Sequence, residues 1–274
     1  MKKWILILGM ILSFNVWADD DEYCTDGICT YTCGENCTAT LNLETGLFKV
    51  EGSGKMIGPA YKVIDGHNVS GAPWQPHMKD IQTVEISEDI TSIGNGFLWD
   101  ANNVRQVTIP KNVTEIGNWA FLSTSITSID IPQKVEKIGT YAFASTKISE
   151  IEIPDSVKTI GNYAFRSTPL SEVDIPDNVE YIGYNIFDKS GVQKVYCNNI
   201  GGRCDSLFYG KTEGNLPDGI LKSYYIDGDR YVLDGLRYKS YENMKNDIPV
   251  KRIYTIDEAN AVSGEVNSVK IRYR

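Results

Sequence analysis

The chain has 274 residues, 42% of them hydrophobic, and a formal net charge of -9. That length suffices for one large domain or two small ones with a sizeable core. The acidic balance argues against nucleic acid and anionic membrane surfaces as partners, because both attract basic patches.

Residues 1–18, "MKKWILILGMILSFNVWA", combine a basic start at Lys2 and Lys3, a short apolar run from Trp4 to Phe14, and a small residue, Ala18, at the expected cut. This is the pattern of a signal peptide, and the run is too short to span a bilayer comfortably. The expected mature chain begins at Asp19 and is an exported protein: secreted, periplasmic or held at the cell surface. Loss of two lysines takes its charge to -9 - 2 = -11. The alternative is an apolar core helix. No cysteine directly follows Ala18, which argues against lipid attachment.

Six cysteines follow. Cys24, Cys29, Cys33 and Cys37 cluster in "CTDGICTYTCGENC", and Cys197 and Cys204 bound "CNNIGGRC". An even count in an exported chain points to disulfides. Three pairings of the cluster are open; the favoured one joins Cys24 to Cys29 and Cys33 to Cys37, with Cys197 bonded to Cys204. Zinc is the alternative, but no Cys-x-x-Cys pair supports it, and no metal site is assigned.

From residue 81 the chain repeats itself. Ile-Pro recurs at Ile109-Pro110, Ile131-Pro132, Ile153-Pro154 and Ile175-Pro176, a step of 22 residues each time. Ile-Gly recurs at Ile93-Gly94, Ile116-Gly117, Ile138-Gly139, Ile160-Gly161 and Ile182-Gly183, and Phe97, Phe121, Phe143, Phe165 and Phe187 follow those glycines. A fixed period in the low twenties marks a solenoid whose coils bury their apolar sides against one another. Segments such as "ITSIDI" alternate as short strands. Proline would end each strand, and glycine would reverse the chain by adopting positive φ. Phe97, in the first and irregular turn, is expected to matter less than Phe143.

"ITSIDIPQKVEKIGTYAF" (126–143) resembles the BspA-like leucine-rich repeat. "TGLFKVEGSGKM" and "APWQPHMKDIQTVEISEDITSIG" are similar to the cap that often precedes such repeats, which extends the resemblance to roughly residues 33–204. It departs in the last turn, where Asn185-Ile186-Phe187 replaces x-Ala-Phe and Tyr196-Cys197 replaces Ile-Pro. The expected fold is a β-rich, right-handed solenoid with an N-terminal β cap and a small α+β C-terminal region. Its divisions are a signal peptide over 1–18, a cysteine-bearing cap over 19–80, repeats over 81–204 and a C-terminal cap over 205–274. The resemblance implies surface recognition or adhesion, by binding a protein or cell-surface partner.

Beyond residue 204, Asp-Gly turns between aromatic and β-branched runs predict hairpins. "YTIDEANAVSG" predicts a short helix between Thr255 and Gly264, and "EVNSVKIRYR" a closing strand.

Catalytic and cofactor motifs fail on inspection. "EGSGKM" has Lys49 where a phosphate-binding loop needs its first glycine and Met56 where it needs Ser or Thr. The two histidines, His67 and His77, have no recognisable catalytic partner nearby in the sequence. The reading is a non-enzymatic binding protein without a cofactor, with a structural scaffold as alternative and a secreted hydrolase behind both.

The expected binding surface is the concave face. On each strand the residue between two inward apolar positions points out, giving Glu85, Thr108, Asp130, Glu152, Asp174 and Tyr196. The neighbouring column is Thr83, Gln106, Ser128, Glu150, Glu172 and Lys194. Stacking would gather Asp130, Glu150, Glu152, Glu172 and Asp174 into a carboxylate patch suited to a basic partner segment or divalent cations, unless it is simply the acidic surface of an acidic chain.

Overall fold

A computed structural model describes residues 23–58, 62–64, 67–192, 194–198, 221–227, 230–233, 236–238, 251–252 and 272–273. The expected signal peptide, Cys204 and the helix predicted between Thr255 and Gly264 lie outside the described residues. The fold is β-rich; among the described residues the one helical element is a 3₁₀ turn at Gln75–His77.

The chain opens as an antiparallel meander of β1 (Cys24–Thr25), β2 (Ile28–Gly34), β3 (Asn36–Asn42) and β4 (Leu47–Lys55). The first hairpin turns on Asp26 and Gly27, both at positive φ (49° and 76°), the geometry of a two-residue Asp-Gly turn. Alternation sets the buried face: Cys29, Tyr31 and Cys33 on β2, Ala39 and Leu41 on β3, Phe48 and Val50 on β4. A small hairpin follows, β5 (Lys62–Ile64) with β6 (His67–Val69).

β4 joins the meander to the repeats. Its first half pairs in parallel with β7 (Thr83–Ile86), and its end pairs in parallel with β8 (Ile90–Ile93). Between the halves sits Gly52, at φ 109°, where an added Cβ would press on the carbonyl oxygen of Asn36. Only glycine fits that bend.

From β8 a parallel ladder runs through β9 (Glu115–Ile116), β10 (Lys137–Ile138), β11 (Thr159–Ile160) and β13 (Tyr181–Ile182). Ile93, Ile116, Ile138, Ile160 and Ile182 are mutual register partners along it. Each of these short strands stands immediately before its repeat's glycine. Backbone bonds repeat with them: Gly117, Gly139, Gly161 and Gly183 donate to Ile93, Ile116, Ile138 and Ile160.

The core of the ladder is a file of phenylalanines. Phe121–Phe143, Phe143–Phe165 and Phe165–Phe187 are stacked with centroids 5.4, 5.6 and 5.9 Å apart. Burying each ring contributes roughly 1.5–3 kcal/mol. Thr124, Thr146, Thr168 and Ser190 donate their hydroxyls to the carbonyls of Phe121, Phe143, Phe165 and Phe187, so the polar groups beside the file are paired. Phe97 departs from expectation. It is 1% exposed and lies against Phe48, Trp74 and Phe121, and so joins the meander's core to that of the repeats.

Two expectations about the repeat need correction. The alternating segments such as 126–131 keep the expected burial, with Ile129 and Ile131 inside and Ser128 and Asp130 outside, yet most are not paired strands. Successive segments are joined by backbone bonds near their starts, Thr127 N to Arg105 O at 3.4 Å and Lys147 N to Ile126 O at 2.9 Å, without the alternating bonds of a regular ladder. Pairing returns at the end of the series. β12 (Glu172–Ile175), β14 (Lys194–Asn198) and β15 (Leu221–Asp227) run parallel, and the predicted hairpins continue the sheet with β16 (Arg230–Leu233) and β17 (Leu236–Tyr238). The closing strand, β19 (Arg272–Tyr273), pairs with β18 (Lys251–Arg252). Proline accordingly opens a turn: Pro110, Pro132, Pro154 and Pro176 each accept from the valine three residues on.

The second correction concerns glycine. Gly117, Gly139, Gly161 and Gly183 are not at positive φ. They are glycines because a Cβ would lie 2.4–2.7 Å from the backbone of the preceding repeat. Positive φ falls instead on Trp119 (55°), Tyr141 (55°), Tyr163 (56°) and Asn185 (53°), two residues later, and again on Ser123, Ser145, Ser167 and Lys189.

Candidate functional site

Repeat geometry places the outward residues of the alternating segments side by side. Ser128, Asp130, Glu150 and Glu152 are exposed. They line a groove of about 570 Å³ together with Ile129, Ile131, Gln133 and Ile151. Ile129 and Ile131 are buried and form its apolar floor. The lining carries three carboxylates and no lysine or arginine. Carboxylates held opposite one another repel, by a few tenths of a kcal/mol to about 1 kcal/mol per pair.

The remaining two residues of the predicted patch do not line this groove. Glu172 lies opposite Lys194 in the β12–β14 register, with its carboxylate 4.0 Å from the Lys194 ammonium. Asp174 is half-buried on the same strand, opposite Tyr196. Tyr196, expected outside, is 4% exposed. It sits on β14, flanked by β12 and β15, where an interior strand covers a bulky ring more readily than an edge strand does. Toward the N-terminus a second groove, of about 500 Å³, is lined by Thr83, Gln106, Thr108 and Arg105 and carries no carboxylate. The acidic stretch therefore spans the middle of the face alone.

The opposite turns carry a column that the sequence reading did not single out. Trp99 stacks on Trp119 at 5.9 Å, Tyr141 on Tyr163 at 4.8 Å, and Tyr184 meets Tyr163 edge-on at 5.1 Å. Arg166 lies over the Tyr163 ring at 5.6 Å and pairs with Asp188 at 3.0 Å. The signal was available, since Trp119, Tyr141 and Tyr163 share one phase of the repeat. Where the rings stack, their faces are occupied by one another, and that packing offsets the left-handed backbone of Trp119, Tyr141 and Tyr163.

The disulfides join Cys24 to Cys29 and Cys33 to Cys37. Cys197 is also disulfide-bonded. His77 proves to have close partners. Its Nδ1 lies 3.0 Å from the Asp80 carboxylate and its Nε2 3.8 Å from the Cys24 sulfur. No adjacency in sequence signals that contact, because 53 residues separate Cys24 from His77. Among the described residues no helix is long and apolar enough to cross a membrane.

No curated protein matches the sequence. Among solved structures, the chain is similar to a leucine-rich repeat protein from Eubacterium ventriosum, at 21% identity and a TM-score of 0.40, over 76% of this chain and 48% of that one. It is similar to a leucine-rich repeat protein from Bacteroides ovatus at 19% identity and a TM-score of 0.35, over 66% and 62%. It is also similar to a leucine rich cell surface protein from Faecalibacterium prausnitzii at 20% identity and a TM-score of 0.34, over 78% and 59%. The chain thus spans about half to three-fifths of the length of these proteins. Residues 77–193 match the BspA type leucine rich repeat region in six copies, and over that region the chain is similar to the BspA-type leucine-rich repeats.

Proposed function

We propose that the chain is an exported binding protein that uses the face of its alternating segments as the concave surface of a right-handed solenoid to hold an extended basic segment of a protein partner. The carrying observation is the groove lined by Asp130, Glu150 and Glu152 with no cation in its lining. Its apolar floor of Ile129 and Ile131 would pack against the stems of lysine or arginine side chains, while the rim carboxylates pair with their heads. The family's general role in protein–protein recognition supports the reading, as does the cell-surface description of one similar structure. Adhesion at a cell surface is the biological setting that fits an exported chain of this kind. The expected division into an N-terminal cap, repeats and a C-terminal cap belongs to the same proposal, with β4 and β15 as the joining strands.

The test is a triple substitution, Asp130→Asn, Glu150→Gln and Glu152→Gln, assayed by calorimetry against extended peptides with lysine or arginine at alternate positions. Binding should weaken by at least tenfold, and its dependence on salt should flatten, because screened attraction has been removed. If the triple variant binds those peptides as well as the parent and merely melts slightly higher, the groove is only the acidic surface of an acidic chain.

A further inference from the structure

We propose that the Cys24–Cys29 disulfide masks a metal site, which reduction opens as a Cys₂His site for zinc-class divalent ions completed by His77. Three observations carry this. The two sulfurs and the His77 Nε2 lie within 4.8 Å of one another. The distance from the Cys24 sulfur to Nε2 is 3.8 Å, close to the separation of about 3.6 Å between sulfur and nitrogen ligands on one tetrahedral zinc, given Zn–S near 2.3 Å and Zn–N near 2.0 Å. Asp80 sits 3.0 Å from Nδ1, the carboxylate–histidine arrangement that fixes the tautomer and aims the other nitrogen at a metal.

The ligands are placed without help from the sulfur–sulfur bond. Cys24 and Cys29 are register partners across the β1–β2 hairpin, held by the Asp26–Gly27 turn and by the bond from Thr30 N to Tyr23 O. His77 ends the 3₁₀ turn, with its N–H bonded to Trp74 O and its carbonyl accepting from Asp80 N. Reduction therefore leaves two thiols and an imidazole on separately braced backbone.

The chemistry balances with an external dithiol as reductant. Cys24 is half-buried and Cys29 fully buried, so the attacking thiolate meets the Cys24 sulfur. The Cys24–Cys29 bond breaks, its electron pair leaves on Cys29, and a mixed disulfide forms at Cys24. The second thiol of the reductant displaces Cys24 and closes to a cyclic disulfide. Two electrons and two protons have passed to the protein, giving two thiols. Metal binding then releases those two protons to solvent, and a fourth coordination position stays open to water or an outside ligand.

The probe is Co²⁺, titrated into oxidised and dithiol-reduced full chain, followed by X-ray absorption on the Zn²⁺ form. Reduced protein should bind one Co²⁺ with thiolate charge-transfer and tetrahedral d–d bands, and oxidised protein should show neither. Zinc should show two sulfur ligands at about 2.3 Å and a nitrogen at about 2.0 Å. His77→Gln should remove the nitrogen, and Asp80→Asn, which keeps every ligand, should weaken affinity by about 10–100-fold. Reduced protein without thiolate bands would overturn the site, as would bands that survive Cys24→Ser. Unchanged affinity in both His77→Gln and Asp80→Asn would also overturn it, whether or not reduction loosens the hairpin, because binding would then belong to other thiols.

Discussion

At the scale of single residues, a repeat position is decided by what the neighbouring coil leaves room for. Gly139 is the clearest case. A Cβ there would meet the carbonyl carbon of Gly117 at 2.5 Å and the nitrogen of Asn118 at 2.6 Å, both backbone atoms. Gly139→Ala must therefore push two coils apart, and we expect a loss of about 1–3 kcal/mol, read as a fall in thermal midpoint. The sequence showed that a glycine was required but not why, because close approach and positive φ leave the same residue in the string. Trp119 and Tyr141 hid the converse: rings rarely tolerate a left-handed backbone, so nothing in their identity announced it. Tyr141 also gives a pH signature. Burial pushes its phenol above the ordinary 10.0, with Arg166 pulling it partly back. A phenol whose pKa is higher folded than unfolded keeps its proton longer in the fold, so its stabilising contribution is complete below pH 10 and is lost as pH rises through the folded value. Ultraviolet titration should find a late-ionising tyrosine that disappears in Tyr141→Phe.

Among elements, side-chain amides tie one coil to the next. Asn95 Oδ1 accepts from Asn118 N, Asn118 Oδ1 from Thr140 N, and Asn162 Oδ1 from Tyr184 N, each at 2.8–3.0 Å. The series lapses at Thr140, whose shorter side chain occupies the place of an asparagine. Thr140→Asn should extend the ladder to Asn162 N and stabilise the protein by about 0.5–1.5 kcal/mol, measured by chemical denaturation with an unchanged m-value. The phase of the repeat, its buried positions and the tail hairpins were all legible, since period and turn chemistry are local properties of the string. The pairing of the alternating segments was not. Whether two extended stretches bond along their whole length depends on the coils between them, and the bonds from Thr127 to Arg105 and from Lys147 to Ile126 lie near the segments' starts. The contact of His77 with Cys24 was equally illegible, because it depends on how the meander lies against the turn after Trp74.

For the whole molecule, the acidic groove was legible as a pair of columns, but its limits were not. Lys194 beside Glu172 and the burial of Tyr196 end it where the unpaired alternating segments give way to the five-stranded sheet. A different consequence follows from the register of β10 on β11, where Lys137 meets Thr159 and Ile138 meets Ile160. From β9 onward every such step is the same 22 residues, so the molecule's length is quantised there: material can leave or enter it only in whole units, as pages are added to a bound book. Deleting residues 139–160 joins Ile138 to Gly161 and recreates an Ile-Gly already present. That variant should still melt in one cooperative transition, with the stack shorter by about 5 Å in small-angle scattering. Deleting residues 139–158 instead puts Thr159 after Ile138, throws every later isoleucine out of phase, and should abolish the cooperative melt. A chain built this way can change its reach in evolution by duplication or loss of a unit, and the charge pattern it displays travels with each unit gained or lost.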